Sequence, residues 1–240
     1  MSRAALLLLA AHGVPLACAA VTRSATAVAT KRSLLSAVAA LRREPSVARR
    51  RGVLDAVARL EECQVGVSSP VDGRWALIFS TQVEPPRPGS EQEANILQPV
   101  IDATYALFFK VAPSLAGASP DGSSSSAANE QLVDVSNSGQ VRNDVRIQLP
   151  FGRRLDITVN GEARVAASTA SALTTSELKV TFSDCVFKLI DDEKAPVEGL
   201  RVPLPAPVGS LVTTHCDDDL RISRGGRGGI FVLRRLPNSQ

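Results

Sequence analysis

A mainly β fold, an antiparallel barrel or strongly curved sheet preceded by helices, is predicted by three features of this sequence. From Val141 onward, apolar residues recur at every second position, the period of a strand with one buried face. Turn-forming glycine, proline and asparagine punctuate that half of the chain. Between Leu34 and Leu60, by contrast, apolar residues recur at helical spacing. At 240 residues the chain suits one domain with appendages.

Taken in order, "MSRAALLLLAAHGVPLACAA" has one arginine, an apolar run from Ala4 to Ala11, and Ala17-Cys18-Ala19 as a small-residue cleavage pattern. That is the layout of a secretory signal, with an apolar run too short to span a bilayer. The stretch behind it is basic, rich in Ala, Ser and Thr, and free of acid, since the first acidic residue is Glu44. Its composition is that of a transit peptide. Residues 1–30 are therefore expected to be a signal plus transit-like targeting segment. Such a pair addresses a plastid bounded by extra membranes; a disordered alanine-rich tail is the alternative.

Residues 31–70 are expected to form N-terminal helices packing on the barrel. Leu34, Leu35, Val38 and Leu41 share one helical face, and Leu54, Val57 and Leu60 share a second, with Pro45-Ser46 as break and N-cap. Arg49 to Arg51 lie near the second helix's start, where the dipole disfavours positive charge. They read as a solvated face, a membrane-surface or import role being the alternative. Gly66 to Asp72 reads as a connector.

Residues 71–240 are expected to be the β domain. "DGRWALIFSTQ" puts Trp75, Leu77 and Phe79 on one strand face. Leu97, Ile101, Thr104 and Phe108 fall on one helical stripe, although the β-branched content of 97–112 leaves a strand open. Ser119 to Asn129 reads as a flexible serine-rich loop. Val141, Val145, Ile147 and Leu149 alternate, with Asn143 on their face, as do Leu155, Ile157 and Val159. Asn160-Gly161 is a two-residue hairpin signal. In "ELKVTFSDCVFKLI" the apolar parity switches at Ser183-Asp184, which suggests a bulge. Pro203, Pro205 and Pro207 exclude a central strand there. Leu220-Ile222 and Ile230-Leu236 close the chain as a hairpin around "RGGRGG". About seven strands with one apolar face make a barrel or curved sheet.

Several chemistries are disfavoured. Without residues 1–30, which carry Arg3 and Arg23, the formal charge falls from +3 to +1, and aromatics are only 4% of the chain. No electrostatic or stacking case for nucleic acid remains. Cys63, Cys185 and Cys216 form no C-x-x-C pair and read as small buried apolar residues. His215 is the only histidine past residue 30. It and Cys216 are neighbours that point to opposite faces of a strand, so they make no nucleophile–base pair. Asp217, Asp218 and Asp219 likewise alternate and lack calcium-loop spacing. No G-x-S-x-G elbow or G-x-G-x-x-G fingerprint is present. Neither a metal nor a cofactor is expected.

Two motifs carry a resemblance. "DGRWALIFST" and the late block "TTHCDDDLRISRGGRGGIFVL" resemble those of the plastid lipid-associated proteins, or fibrillins. Gly73 and Trp75 match the family's G-x-W. Thr213, Thr214, Asp217, Leu220, Arg221, Ile222, Arg224, Gly225, Gly228, Phe231, Val232 and Leu233 match its late block, within which Asp219 also falls. His215, Cys216 and Ser210 depart, standing where Tyr, Leu and often Trp are usual. The resemblance spans roughly Arg32 to Leu236. It implies a lipocalin-like antiparallel β-barrel associated with plastid lipid at plastoglobules or thylakoids, with no shared catalytic residues. It further implies ligands among carotenoids, prenylquinones, tocopherols and acyl lipids. By analogy with lipocalins, Arg221 is expected to pack over Trp75.

The function expected is then a non-enzymatic plastid protein that binds or coats apolar lipid. Its lining is expected from Trp75, Leu77, Phe79, Asn143, Val145, Ile147, Ile157, Phe182 and Phe187, with Asn143 as the one polar group. An isoprenoid- or lipid-modifying enzyme on the same barrel, and a ligand-free scaffold for a photosynthetic complex, are the competing readings.

Overall fold

A computed structural model describes residues 16–63, 67–81, 127–149, 151–166, 176–191, 199–204, 206, 208–226 and 228–237. The expected helix or strand at 97–112 lies outside them. Two helices come first, α1 (Leu16–Arg43) and α2 (Val47–Glu62). Ser46 is the N-cap of α2, extended at φ −155°, its hydroxyl accepting from the Arg49 amide at 3.2 Å. A cap of that kind contributes about 1 kcal/mol. Helix α1 passes residue 30 without a break, and Ala27 is already buried.

The arginines at the start of α2 are more than a solvated face. Arg49 donates to the carbonyls of Glu44 (2.8 Å), just past the end of α1, and Ala40 (3.4 Å), in its last turn. The positive charge that α2's dipole disfavours is held by the negative end of α1. Arg50 reaches the Ser80 carbonyl at 3.3 Å and lies over the Phe79 ring.

Nine strands follow: β1 (Gly73–Ser80), β2 (Ala127–Asp134), β3 (Gln140–Gln148), β4 (Arg153–Val165), β5 (Ser176–Asp191), β6 (Leu200–Pro203), β7 (Val208–Cys216), β8 (Leu220–Gly225) and β9 (Ile230–Arg235). Every pairing between them is antiparallel. The order β4-β3-β2-β1-β9-β8-β7-β5 closes through a β4–β5 pairing, so eight strands make a barrel-like ring and β6 hangs on β5. The predicted class, mainly β and antiparallel behind N-terminal helices, is the observed one. The four residues of β6 are exposed, consistent with an edge strand that tolerates Pro203.

Three details differ from the expectation. Residues 127–129, expected in the serine-rich loop, begin β2. Asn160-Gly161 is no turn, because β4 runs straight through it for 13 residues. Its register against β5 steps there from Asn160↔Asp184 to Gly161↔Phe182, skipping Ser183. The bulge expected at Ser183-Asp184 is thus real, and Gly161 lies opposite it. A Cβ on Gly161 would come within 2.6 Å of the Thr181 carbonyl oxygen. The glycine serves close backbone approach and not a positive φ. The third difference is a bulge at Ile78, where Leu77 pairs Leu233 but Phe79 pairs Val232. The extra residue flips Phe79 to the outer face, so Trp75, Leu77 and Phe79 do not share a side.

The core divides accordingly. Outside the ring, Leu34, Val38, Leu41, Val53, Val57 and Leu60 of the helices pack on Phe79, Leu220, Ile222 and Val232. Inside, one cluster holds Trp75, Val133, Val141, Leu178, Val180, Cys216 and Leu233. A second holds Val145, Ile157, Val159 and Cys185, with Ile147, Leu155 and Phe187 against it. Phe182 touches both.

Candidate ligand-binding interior

One end of the ring is sealed by the segment Val67–Asp72. Val67 bridges Cys216, and the Ser68 and Ser69 amides donate to the Cys216 carbonyl at 2.8 and 3.2 Å. The indole N–H of Trp75 donates to the Val71 carbonyl at 2.9 Å. Arg221 lies over the Trp75 ring at 4.9 Å, as expected, and Arg235 lies over the same ring at 4.1 Å. Arg235 also donates to the carbonyls of Asp72 and Pro70, each at 2.8 Å. Gly73 makes this possible. Its φ is +126°, and a Cβ there would sit 2.7 Å from the Arg235 guanidinium. The G-x-W pattern is therefore a packing requirement of the sealed end.

Above this seal the interior carries a polar band. Arg221 donates to the Val71 carbonyl at 3.4 Å and to the side-chain oxygen of Gln131, and Gln131 donates to Asn143 Oδ1 at 2.9 Å. On the facing wall the hydroxyls of Thr213 and Ser223 are buried and 3.1 Å apart. Burial pushes the Arg221 guanidinium down to about 10; Cys216 opposes that shift and the like charge of Arg235 adds to it. Only Asn143 of this band was legible as a lining residue. Gln131 follows closely on the serine-rich stretch whose composition predicts a loop, and the resemblance implies only a packing role for Arg221.

The apolar residues of the expected lining divide by position. Trp75 and Leu77 belong to the cluster at the sealed end, and Val145, Ile147, Ile157 and Phe187 to the cluster at the other end. Phe182 bridges them. Phe79 is the exception, lying under the helices on the outer face. Burial pushes the Cys185 thiol up to about 11, and Cys216 is raised by burial too. Both are poor nucleophiles at neutral pH. Among the described residues, no group of three or more His, Cys, Asp or Glu could hold a metal ion.

The late motif has a second job outside the ring. Asp217, Asp218 and Asp219 stand in and beside the β7–β8 turn, so the strand alternation expected of them does not hold. Asp217 accepts from the backbone amides of Asp219 and Leu220, each at 2.8 Å, which fixes the turn. Lys31 of α1 donates to both Asp217 and Asp219 at 2.9 Å. Burial would raise the Asp217 pKa, but hydrogen bonds from His215, Lys31 and those amides hold it well below the usual carboxylate range. Arg224 grips Glu61 of α2 through both carboxylate oxygens, and Thr214 donates to Glu61 at 2.6 Å. These motif positions clasp the helices to the wall.

The sequence profile of the PAP_fibrillin family matches residues 28–234. The chain belongs to the PAP_fibrillin family. That makes it a plastid lipid-associated protein in the general sense, in a family that is plastid-associated and generally structural and non-enzymatic. No curated protein and no solved structure matches the chain. The matched PAP_fibrillin region runs from the middle of α1 to the penultimate residue of β9, so the helix clasp and the sealed end fall inside it except for Arg235, one residue beyond.

Proposed function

We propose that this PAP_fibrillin protein holds an apolar plastid lipid inside its strand ring and works as a carrier or coat without catalysis. The observation that supports the reading is the interior itself. Two apolar clusters on a closed ring flank one short polar band, an arrangement that suits a small apolar molecule oriented by few polar groups. Burying an acyl or prenyl chain there contributes roughly 25 cal/mol per Å² of apolar surface. The end opposite the seal carries exposed apolar side chains, with Phe151 94% and Leu200 67% exposed. These side chains suit a plastoglobule or thylakoid surface as the partner. Delivery would follow the signal-plus-transit route of residues 1–30.

Trp75 is the chain's one tryptophan and lies inside the ring, so it reports the test. Titration with a plastoquinone analogue should quench its emission saturably. Linear quenching without saturation would reject an internal quinone site.

A further inference from the structure

We propose that the interior selects an amphiphile with a carboxylate head, bound by Arg221 with Gln131 and Asn143 beside it, its chain running toward Val145, Ile157 and Phe187. This rests on the lipid-binding reading above and gives that site a headgroup specificity.

Arg221 carries the argument. It is only 2% exposed, and among the described residues it has no ion-pair partner. Its hydrogen-bond acceptors are neutral, one carbonyl and one amide oxygen, and its Nε has no partner at all. A buried guanidinium is usually matched by a carboxylate, because neutral acceptors only partly replace the water it loses. A second cation, Arg235, lies over the same indole at 4.1 Å, and its Nε too is unpartnered. Among the described residues no carboxylate pairs with either guanidinium, which leaves this end of the ring's interior electropositive. Arg221 stays protonated at neutral pH even with its lowered pKa.

Geometry supplies the direction of the chain. Trp75 pairs Gln131, and Gln131 pairs Asn143, so the amides lie at the level of the indole. The next interior residues away from the seal are Val145 and its partner Ile157, followed by Phe187 across from Ile157. A head at Arg221 has the Trp75 cluster and the sealed end on one side, so its chain runs the other way, toward Val145 and Ile157. The Gln131 side chain would release Arg221 to the incoming carboxylate, and its amide could then donate to that carboxylate. A quinone or carotenoid has no anionic end to make this exchange worthwhile.

The test uses the full-length protein at pH 8 and probes of one chain length: palmitate, methyl palmitate and hexadecanol, with phytanic acid as a branched carboxylate. Affinities are read by calorimetry and by the change in Trp75 emission. Palmitate should bind at least ten-fold more tightly than its ester or alcohol. Phytanic acid tells a linear acyl source from an isoprenoid one by whether it matches palmitate. Arg221→Met, if it folds, should lose the preference and keep ester binding. Gln131→Leu, which leaves the Arg221–Trp75 stack in place, should reduce the preference several-fold. Equal, saturable binding of acid and ester by the unmodified protein overturns the headgroup proposal and leaves the lipid-binding reading standing. Failure of every probe and of the plastoquinone analogue overturns both.

Discussion

Single residues in this chain repeatedly serve both a turn and a distant element. Asp217 is the clearest case, since it closes the β7–β8 turn through two backbone amides and anchors Lys31 of α1. Its folded-state pKa is depressed, so it contributes stability that is complete above its unfolded value of about 4. That contribution is lost as pH falls through the lower folded value. Asp217→Asn should lower the melting temperature at pH 6 and have a smaller effect near pH 2, where the unfolded chain's carboxyl is protonated and much of that contribution is already lost. An equal loss at both pH values would show that charge at this position is unimportant. The sequence displayed Asp217 within a run of three aspartates but not its partner, because the contact with Lys31 joins positions 186 apart. Trp75 and Arg221 were legible as a pair only through the resemblance. The orphaned charge of Arg221 was not legible at all, since burial depends on the closed ring.

At the scale of elements, periodicity located the helices and most strands, and it failed where a bulge intervened. The parity switch at Ser183-Asp184 lies inside one strand and could be read from its own residues. The bulge at Ile78 could not, because Leu77 and Phe79 keep apparent alternation while the chain inserts a residue between them. Asn160-Gly161 misled for a different reason: the dipeptide has the composition of a tight turn, but 13 residues of β4 are needed to span both β5 halves. Gly161 is there to let β4 approach the bulged backbone of β5. Gly161→Ala should therefore destabilise the protein by roughly 1–3 kcal/mol through overpacking, read as a lower urea midpoint. The same substitution at Gly209, where a Cβ meets nothing within 4 Å, should be close to neutral. Comparable losses at the two positions would contradict the close-approach account. A bulkier Ile147→Phe, in the cluster away from the seal, should weaken quenching of Trp75 by the plastoquinone analogue. Its effect on stability should stay within about 1.5 kcal/mol, because Ile147 is only partly buried.

For the whole molecule, the question is which part of the helices the ring requires. The outer face of β1, β8 and β9 is apolar and needs a cover: Phe79, Leu220, Ile222 and Val232 are all buried there. That cover is made by Leu34, Val38 and Leu41 of α1 and by Val53, Val57 and Leu60 of α2, all beyond residue 30. The polar clasps are beyond it too, since Lys31 holds the β7–β8 turn and Glu61 holds Arg224. Of the buried cluster, Ala27 alone would leave with residues 1–30. A protein of residues 31–240 should accordingly melt within about 4 °C of the full chain, the shift expected for less than 1 kcal/mol. A protein of residues 45–240 should fare differently. It loses Lys31 and three buried aliphatic side chains, each contributing about 1.5–3 kcal/mol, and exposes the wall beneath them. Calorimetry should find it unfolded or aggregated at 25 °C. If the 31–240 protein fails as badly as the 45–240 protein, α1 is needed as a whole, and processing near residue 30 is ruled out. If both fold equally well, the helices are not the lid of the outer core.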